Sequence, residues 1–271
     1  MEHESAIRLI SFVLIFILVA LWETLIPCRT LTTSKKWRWF NNLSIVAINT
    51  VLLQLVFPVL AVGMAQTAQT NGWGLLNHLA IPSLIALGVG FVVLDLVIYL
   101  QHVMFHAVPL LWRLHMVHHA DLDFDLTTGL RFHPVEIVLS MLVKMTVIVA
   151  LGPPVLSVLA FEILLNGMAM FNHGNITIPT TLDKWLRWFV VTPDMHRVHH
   201  SVIIRETNSN FGFNLSVWDR LFGTYWSQPQ KGHTTMVIGL SQFRDEKKLN
   251  LPWLLILPVI GDPGKQPINR H

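Results

Sequence analysis

Histidine is the residue type whose number and spacing call for chemistry: there are fourteen in 271 residues, most of them in three tight groups. The first group is Asp95, Tyr99, His102 and His106, spaced by four, three and four. On a helix of 3.6 residues per turn this is one stripe, so two imidazoles one turn apart can bind one metal. Asp95 and Tyr99, deeper on that stripe, are placed to hydrogen-bond the ligand rings and fix their tautomers. The second group is His115-x-x-His118-His119 and the third is His196-x-x-His199-His200. Each projects three nitrogens from one helical face. Two further histidines stand near by, His173 in Phe171-Asn172-His173-Gly174-Asn175 and His133 in Arg131-Phe132-His133-Pro134. A single histidine pair one turn apart arises often by chance. Two such triplets behind a preceding pair do not read as decoration. His133 is left open between a ligand, a residue bonded to a ligand and a helix-entry residue. His3, His78, His233 and His271 fall in terminal or loop contexts and are expected to be solvated.

Nine imidazoles (His102, His106, His115, His118, His119, His173, His196, His199 and His200) exceed what one ion accepts, so a two-metal centre is expected. Imidazole suits zinc, copper, iron and nickel alike. Hydrolysis would need a carboxylate that activates water, and no HExxH is present. Iron, with dioxygen as co-substrate, is the better fit, and a zinc-dependent membrane hydrolase is the alternative.

The elements that must position these rings are membrane helices. The chain is 52% hydrophobic and 13% charged, where soluble domains carry roughly 25% charged residues. A helix needs ~20 apolar residues to cross ~30 Å of hydrocarbon. Leu9 to Ile26, Leu43 to Ala65 and Leu79 to Gln101 qualify, and Val135 to Leu151 and Val155 to Phe171 form a shorter pair turned by Gly152-Pro153-Pro154. No small-residue cleavage site follows the first run, which reads as an anchor. Arg29, Lys35, Lys36 and Arg38 between the first two runs, against an uncharged stretch 66–78, put the first loop in the cytoplasm. By that count every grouped histidine emerges on the same, cytoplasmic side, and a bacterial inner membrane is the expected location. Lys144 and Glu162 lie nine residues either side of Pro153 and read as an ion pair across the hairpin, or as the mark of a hairpin that only partly crosses. The run Leu251 to Ile260 is too short to span.

The fold expected is therefore all-α, a multi-pass helical bundle with a cytoplasmic helical cap holding a histidine-rich dimetal site. Residues 1–90 supply N-terminal transmembrane helices, 91–226 the metal domain and 227–271 a tail. The single cysteine, Cys28, excludes a disulfide framework and a cysteine-held cluster. A net charge of +3 without a basic stripe excludes nucleic-acid binding. A transporter would carry its polar groups at mid-membrane along a path, whereas these lie at span ends. Pocket walls are expected from spans three to five and from Trp185, Trp188, Phe189, Phe211 and Phe213, though aromatics are also expected at any membrane interface and none of these is singled out as substrate-binding.

The chain resembles the fatty acid hydroxylase superfamily, which includes sterol desaturases, sterol C-4 methyl oxidases and alkylglycerol monooxygenase. The matching stretches are His102-x3-His106, Leu111-Trp112-Arg113-Leu114-His115-x2-His118-His119 and Thr127-Thr128-Gly129-Leu130-Arg131-Phe132-His133-Pro134-x-Glu136. They continue through His173-x-Asn175, Thr192-Pro193-x-x-His196-Arg197-Val198-His199-His200, Asn210-Phe211-Gly212 and Trp218-Asp219-Arg220-Leu221-Phe222-Gly223-Thr224-Tyr225, spanning about residues 90 to 226. The resemblance implies a non-haem di-iron centre held by the three motifs plus His173, with Asn175 and Asp219 as supporting residues. It also implies dioxygen-dependent hydroxylation or desaturation of a lipid. Val103 stands where many members carry Arg, and Ala169 where some carry a further histidine, so one iron is expected to have a ligand fewer, with water or His133 completing it. No dinucleotide fingerprint, haem-attachment motif or cysteine set is present. A separate ferredoxin or small cytochrome with its reductase is implied, and Arg187, Arg197, Arg205 and Arg220 either steer an acidic donor or form an ordinary positive-inside surface.

Overall fold

The apolar runs fold as helices that outlast the expected bounds at some ends and stop short at others, and each difference has a local cause. The computed structural model describes residues 3–265 and 267–268; His271 lies outside them. Helix α1 runs Glu4–Leu25 and α2 Lys35–Val56, the latter opened by Ser34, whose hydroxyl accepts from Trp37 N. The expected second span does not continue unbroken to Ala65. Pro58 has no N–H to donate and disfavours a helical Phe57, whose backbone is extended. The chain re-enters a helix as α3, Ala61–Thr70, which buries Ala61, Val62, Ala65 and Ala68. Small side chains there let α3 sit close to the neighbouring helices.

Helix α4, Ser83–Ala107, extends past the expected end, so His102 and His106 belong to the spanning helix itself. Val108 breaks it, and Pro109 occupies the first turn of α5, Pro109–His119, where its missing N–H costs nothing. Helices α6, Pro134–Leu151, and α7, Val155–Asn172, form the expected hairpin. Gly152 turns it in the left-handed region at φ 64°, and a Cβ there would lie 2.4 Å from Trp73 O. Lys144 meets Glu162 at 2.5 Å across the hairpin, and Arg8 of α1 adds a second pairing to Glu162 at 2.9 Å. Three charges therefore close on one another inside the bundle.

Among the described residues five helices are long and apolar enough to cross a membrane: α1, α2 (running on through α3), α4, α6 and α7. Their shared core joins Ala61 and Val62 to Leu94, Ile98, Met141, Ile148, Leu159 and Phe161. After them come the short helices α8 (Thr180–Leu186), α9 (Pro193–His199), α10 (Ile204–Thr207) and α11 (Val217–Leu221), then α12 (Leu251–Ile260). Among the described residues the extended pairings are isolated bridges only, such as Val190 with Leu215. The fold is all-α.

Two braces hold α5. On one side α12 lays Leu254 and Leu257 against Trp112 and Met116, and Arg113 donates to the carbonyls of Pro258 and Gly261 at 2.9 and 3.0 Å. On the other, the buried carboxylates that follow α5 are each engaged. Asp121 and Asp125 bind Arg38 at 2.7 and 2.5 Å, and Asp123 accepts from the backbone and hydroxyls of Thr32 and Thr33. Arg131 donates to Val117 O at 2.9 Å.

Gly74 and Gly152 touch backbone to backbone, and a Cβ on Gly74 would lie 2.2 Å from Gly152 N. Gly74→Ala should cost about 2 kcal/mol or more and lower the melting midpoint in detergent. Gly88→Ala, whose Cβ meets nothing within 4 Å, should leave the midpoint unchanged or raise it.

Candidate metal centre

The nine histidines of the motifs and His173 are all buried, and they form two groups of ring nitrogens, each set lying within 4.8 Å of one another. His102, His106, His115, His119 and His199 make the first; His118, His173, His196 and His200 make the second. Each triplet does share a helical face, but that face serves both groups. Helix α5 gives the pair His115 and His119 to the first group and His118 to the second. Helix α9 does the reverse, giving His199 to the first and His196, with the adjoining His200, to the second. Helix α4 supplies two rings and the end of α7 supplies His173.

Hydrogen bonds fix the tautomers. The carbonyls of Phe211, Ser209 and Ala169 lie 2.9, 2.7 and 2.7 Å from the Nδ1 atoms of His102, His199 and His173. A carbonyl only accepts, so each Nδ1 carries the proton and each Nε2 keeps a bare lone pair. Glu136 Oε1 does the same for His115 at 2.7 Å, and Asn208 Oδ1 for His106 at 3.1 Å. The Nε2 atoms of His102, His115 and His199 have no hydrogen-bond partner. In the second group aromatic rings do more of the holding. Phe132 stacks on His118 at 4.5 Å and 10°, and Phe124 lies 5.3 Å from His173 and 5.1 Å from His200.

This donor set fits metal ions. His173 Nε2 lies 3.1 to 3.2 Å from the Nε2 atoms of His118, His196 and His200. One lone pair cannot accept three protons, whereas four nitrogens about 2.1 Å from a shared ion stand about 3.4 Å apart. Burial, above all, drives the His115 and His173 rings down to about 3 and those of His118, His119, His196, His199 and His200 well below the ordinary value. At neutral pH these rings are uncharged, the form in which imidazole can bind a metal.

Several sequence expectations are corrected. His133 joins neither group: its Nδ1 accepts from Val135 N as the N-cap of α6, and its Nε2 meets Leu255 O at 3.1 Å. It is the helix-entry residue. Asp95 and Tyr99 do not bond to the ligand rings. Asp95 accepts from Trp218 Nε1 and Leu215 N, and Tyr99 pairs with Thr224 Oγ1 at 2.9 Å. Both hold the segment carrying Phe211 and Asp219. Asp219 accepts from Phe211 N, Gly212 N and Thr224 Oγ1 at 2.7 to 2.8 Å, which aims the Phe211 carbonyl at His102. Asn175 ties the end of α7 to Arg29 through both amide atoms. Arg187 and Arg197 are buried in pairs with Asp183 and Asp194 and present no steering surface. Trp185, Trp188 and Phe189 turn outward; of the expected wall residues, Phe211 faces the rings, 5.1 to 5.4 Å from His102, His106 and His199. His3 and His78 are exposed, as expected. His233 is part-buried beside Gln228, outside both groups.

Sequence reasoning assigned no role to Glu136, Asn208 or the three carbonyls. Glu136 lies twenty-one residues from His115, and no helical period links them. Gly129, in Thr127-Thr128-Gly129-Leu130, packs against the end of α7. Its missing Cβ would fall 2.2 Å from Ala169 O and 2.8 Å from His173 Nδ1, so glycine alone leaves that hydrogen bond room.

All-α architecture, long apolar helices and buried clustered imidazoles together describe a membrane-embedded helical fold built around a histidine-rich, metal-binding type of cluster. The chain belongs to the fatty acid hydroxylase family, whose model matches residues 87–224. It is 26% identical to the ornithine lipid hydroxylase OlsE of Rhizobium tropici over 236 residues, covering 82% of this chain and 67% of that protein. It is 32% identical to the alkylglycerol monooxygenase of Xenopus tropicalis over 141 residues, and 30% to that of Homo sapiens over 142. Those matches cover 52% of this chain, which spans about 30% of the length of either relative. No solved structure gives a significant match.

Glu136→Gln should weaken metal binding about 10- to 100-fold, whereas His133→Ala should cost about 1 kcal/mol of stability from the lost cap and leave metal content intact. Inductively coupled plasma analysis of the purified variants separates the two outcomes. A pH effect follows as well. The unfolded chain takes up protons on histidine near ~6.5 and the folded one does not until far lower, so stability rises with pH. The melting midpoint of metal-stripped protein should fall steadily as the pH drops from about 7 towards about 4; a flat profile would contradict neutral rings.

Proposed function

We propose that this chain is a membrane-bound non-haem di-iron oxygenase that uses dioxygen and external electrons to hydroxylate or desaturate a lipid of fatty acyl, sterol or ether type. The observation that carries the reading is the pair of all-imidazole groups drawn reciprocally from α5 and α9. A closed structural zinc site needs one set of four ligands, and two adjacent nitrogen sets suit two redox-active ions side by side. Neither group contains a carboxylate among the described residues, and Glu136 is committed to the Nδ1 side of His115. That weighs against a hydrolase, which needs a carboxylate free to activate water.

Bound iron would supply dioxygen activation and the redox capacity to break a C–H bond. The chain's own residues do the positioning. Phe211, Ser209, Ala169, Glu136 and Asn208 hold their rings by Nδ1, so the Nε2 lone pairs converge without rearrangement. Phe211, Phe124 and Phe132 pack against the rings and exclude water. Helix α4 carries the buried His102 and His106 on one face and exposes Leu100 and Met104 on the other, so the rings sit on a helix whose outer face suits lipid.

A lipid substrate is supported by relatives named for acting on an ornithine lipid and on alkylglycerol. The basic first loop supports a cytoplasmic site in a bacterial inner membrane, with a ferredoxin or small cytochrome and its reductase as donor.

Metal analysis with Mössbauer spectroscopy on detergent-purified protein tests the reading. About two irons per chain with a coupled signature, and dioxygen uptake on reduction, are expected. His118→Ala and His199→Ala should lose metal and turnover, and His233→Ala should lose neither. Zinc alone, with no iron uptake and no dioxygen consumption, would overturn it in favour of a zinc-dependent membrane hydrolase.

A further inference from the structure

Beyond the metal groups, the largest unexplained feature is an apolar surface on the segment that follows the last span. Leu182, Trp185, Trp188, Phe189, Leu221 and Phe222 are each between 51% and 69% exposed. They come from α8, the turn after it, and the end of α11. These pieces are held side by side: Val190 bridges Leu215, Ser216 N donates to Phe189 O, and Arg220 donates to Arg187 O while stacking on Trp188 at 4.2 Å. Soluble surfaces rarely gather this many large apolar side chains without a partner.

What covers the surface is indicated by where it is anchored. Phe222 stacks on Tyr99 of α4 at 5.4 Å, and Trp218 Nε1 donates to Asp95 of the same helix at 2.8 Å. Tyr99 and Asp95 precede His102 by three and seven residues, so they lie about 4 and 10 Å further into the span at 1.5 Å per residue. The surface is thus docked on α4, whose Leu100, the residue after Tyr99, is itself exposed. Its charge is one-sided. Asp183 and Asp219 are buried, which leaves exposed Lys184 and part-exposed Arg220. Tryptophan and phenylalanine flanked by basic residues is the composition that settles at a bilayer's headgroup boundary.

We propose that α8 and α11 are seated in the interfacial layer of the bilayer leaflet nearest the histidine groups, their aromatic face in lipid and Lys184 and Arg220 among anionic headgroups. This rests on the membrane reading of α4. It makes the post-span segment a monotopic collar beside α4, so that whatever reaches the rings along this flank arrives from lipid and not from water.

The test is nitroxide labelling of the full chain in phosphatidylcholine–phosphatidylglycerol vesicles. Labels are carried at Trp185→Cys, Phe189→Cys and Leu221→Cys in a Cys28→Ser background, with Leu100→Cys on α4 and Lys231→Cys as references. Oxygen concentrates in the bilayer and a nickel chelate in water. At 185, 189 and 221 oxygen relaxation should exceed nickel relaxation, as at 100, and the order should reverse at 231. If the three labels follow 231 while 100 stays oxygen-favoured, the surface faces water and the proposal is overturned, leaving a protein partner as its occupant. Nickel access at 100 as well would overturn the membrane reading itself.

Discussion

Everything in this molecule answers to one constraint: nine uncharged imidazoles must present their lone pairs to one another inside a buried space. Bare nitrogens about 3 Å apart repel unless a cation or a proton lies between them, so the arrangement persists only if each ring is held from behind. That is why the far side of the cluster is so closely organised. A carbonyl, carboxylate or amide oxygen takes the Nδ1 proton of five rings, and phenylalanine faces lean on others.

The supports come from parts of the chain distant in sequence. Asp219 and Thr224 fix the turn whose Phe211 carbonyl orients a ring on α4, and Asp95 and Tyr99 moor that turn to the same helix. Gly129 lets the loop after α5 lie against α7 so closely that a methyl group would displace His173 from its carbonyl. The carboxylates of Asp121, Asp123 and Asp125 are spent on Arg38, Thr32 and Thr33. They fasten the first loop to the end of α5. Polar groups buried in this way are costly alone and specific when fully partnered, so the site's precision is distributed over the first loop, the hairpin and the post-span segment together.

The histidine groups and the long apolar helices were legible because both are written in local periods: four residues for rings on a helix face, about twenty for a span. The hairpin turn at Gly152 and the ion pair of Lys144 with Glu162 were legible for the same reason, since symmetry about one turn fixes depth. What no period carries was missed. Pairing of Glu136 with His115 and the mooring of Asp95 by Trp218 join residues whose proximity exists only once the chain has packed. Two readings failed on direction instead. The outward turn of Trp185, Trp188 and Phe189, and the burial of Arg187 and Arg197, depend on which side of a short helix faces the bundle, and helices of a turn or two give too few residues to tell.

The reciprocal division of α5 and α9 between the two nitrogen groups has a consequence for how the protein comes to exist. Both groups draw on α9, and all five long helices precede it in the chain. Neither nitrogen set can close during synthesis of the spans, however early His102 and His106 are made. Completion of both nitrogen sets is thereby placed after the last of the five long helices in chain order. One short segment, α9 with the adjoining His200, therefore adds the last nitrogens to both sets: one to a group that already holds four, and two to a group that already holds two.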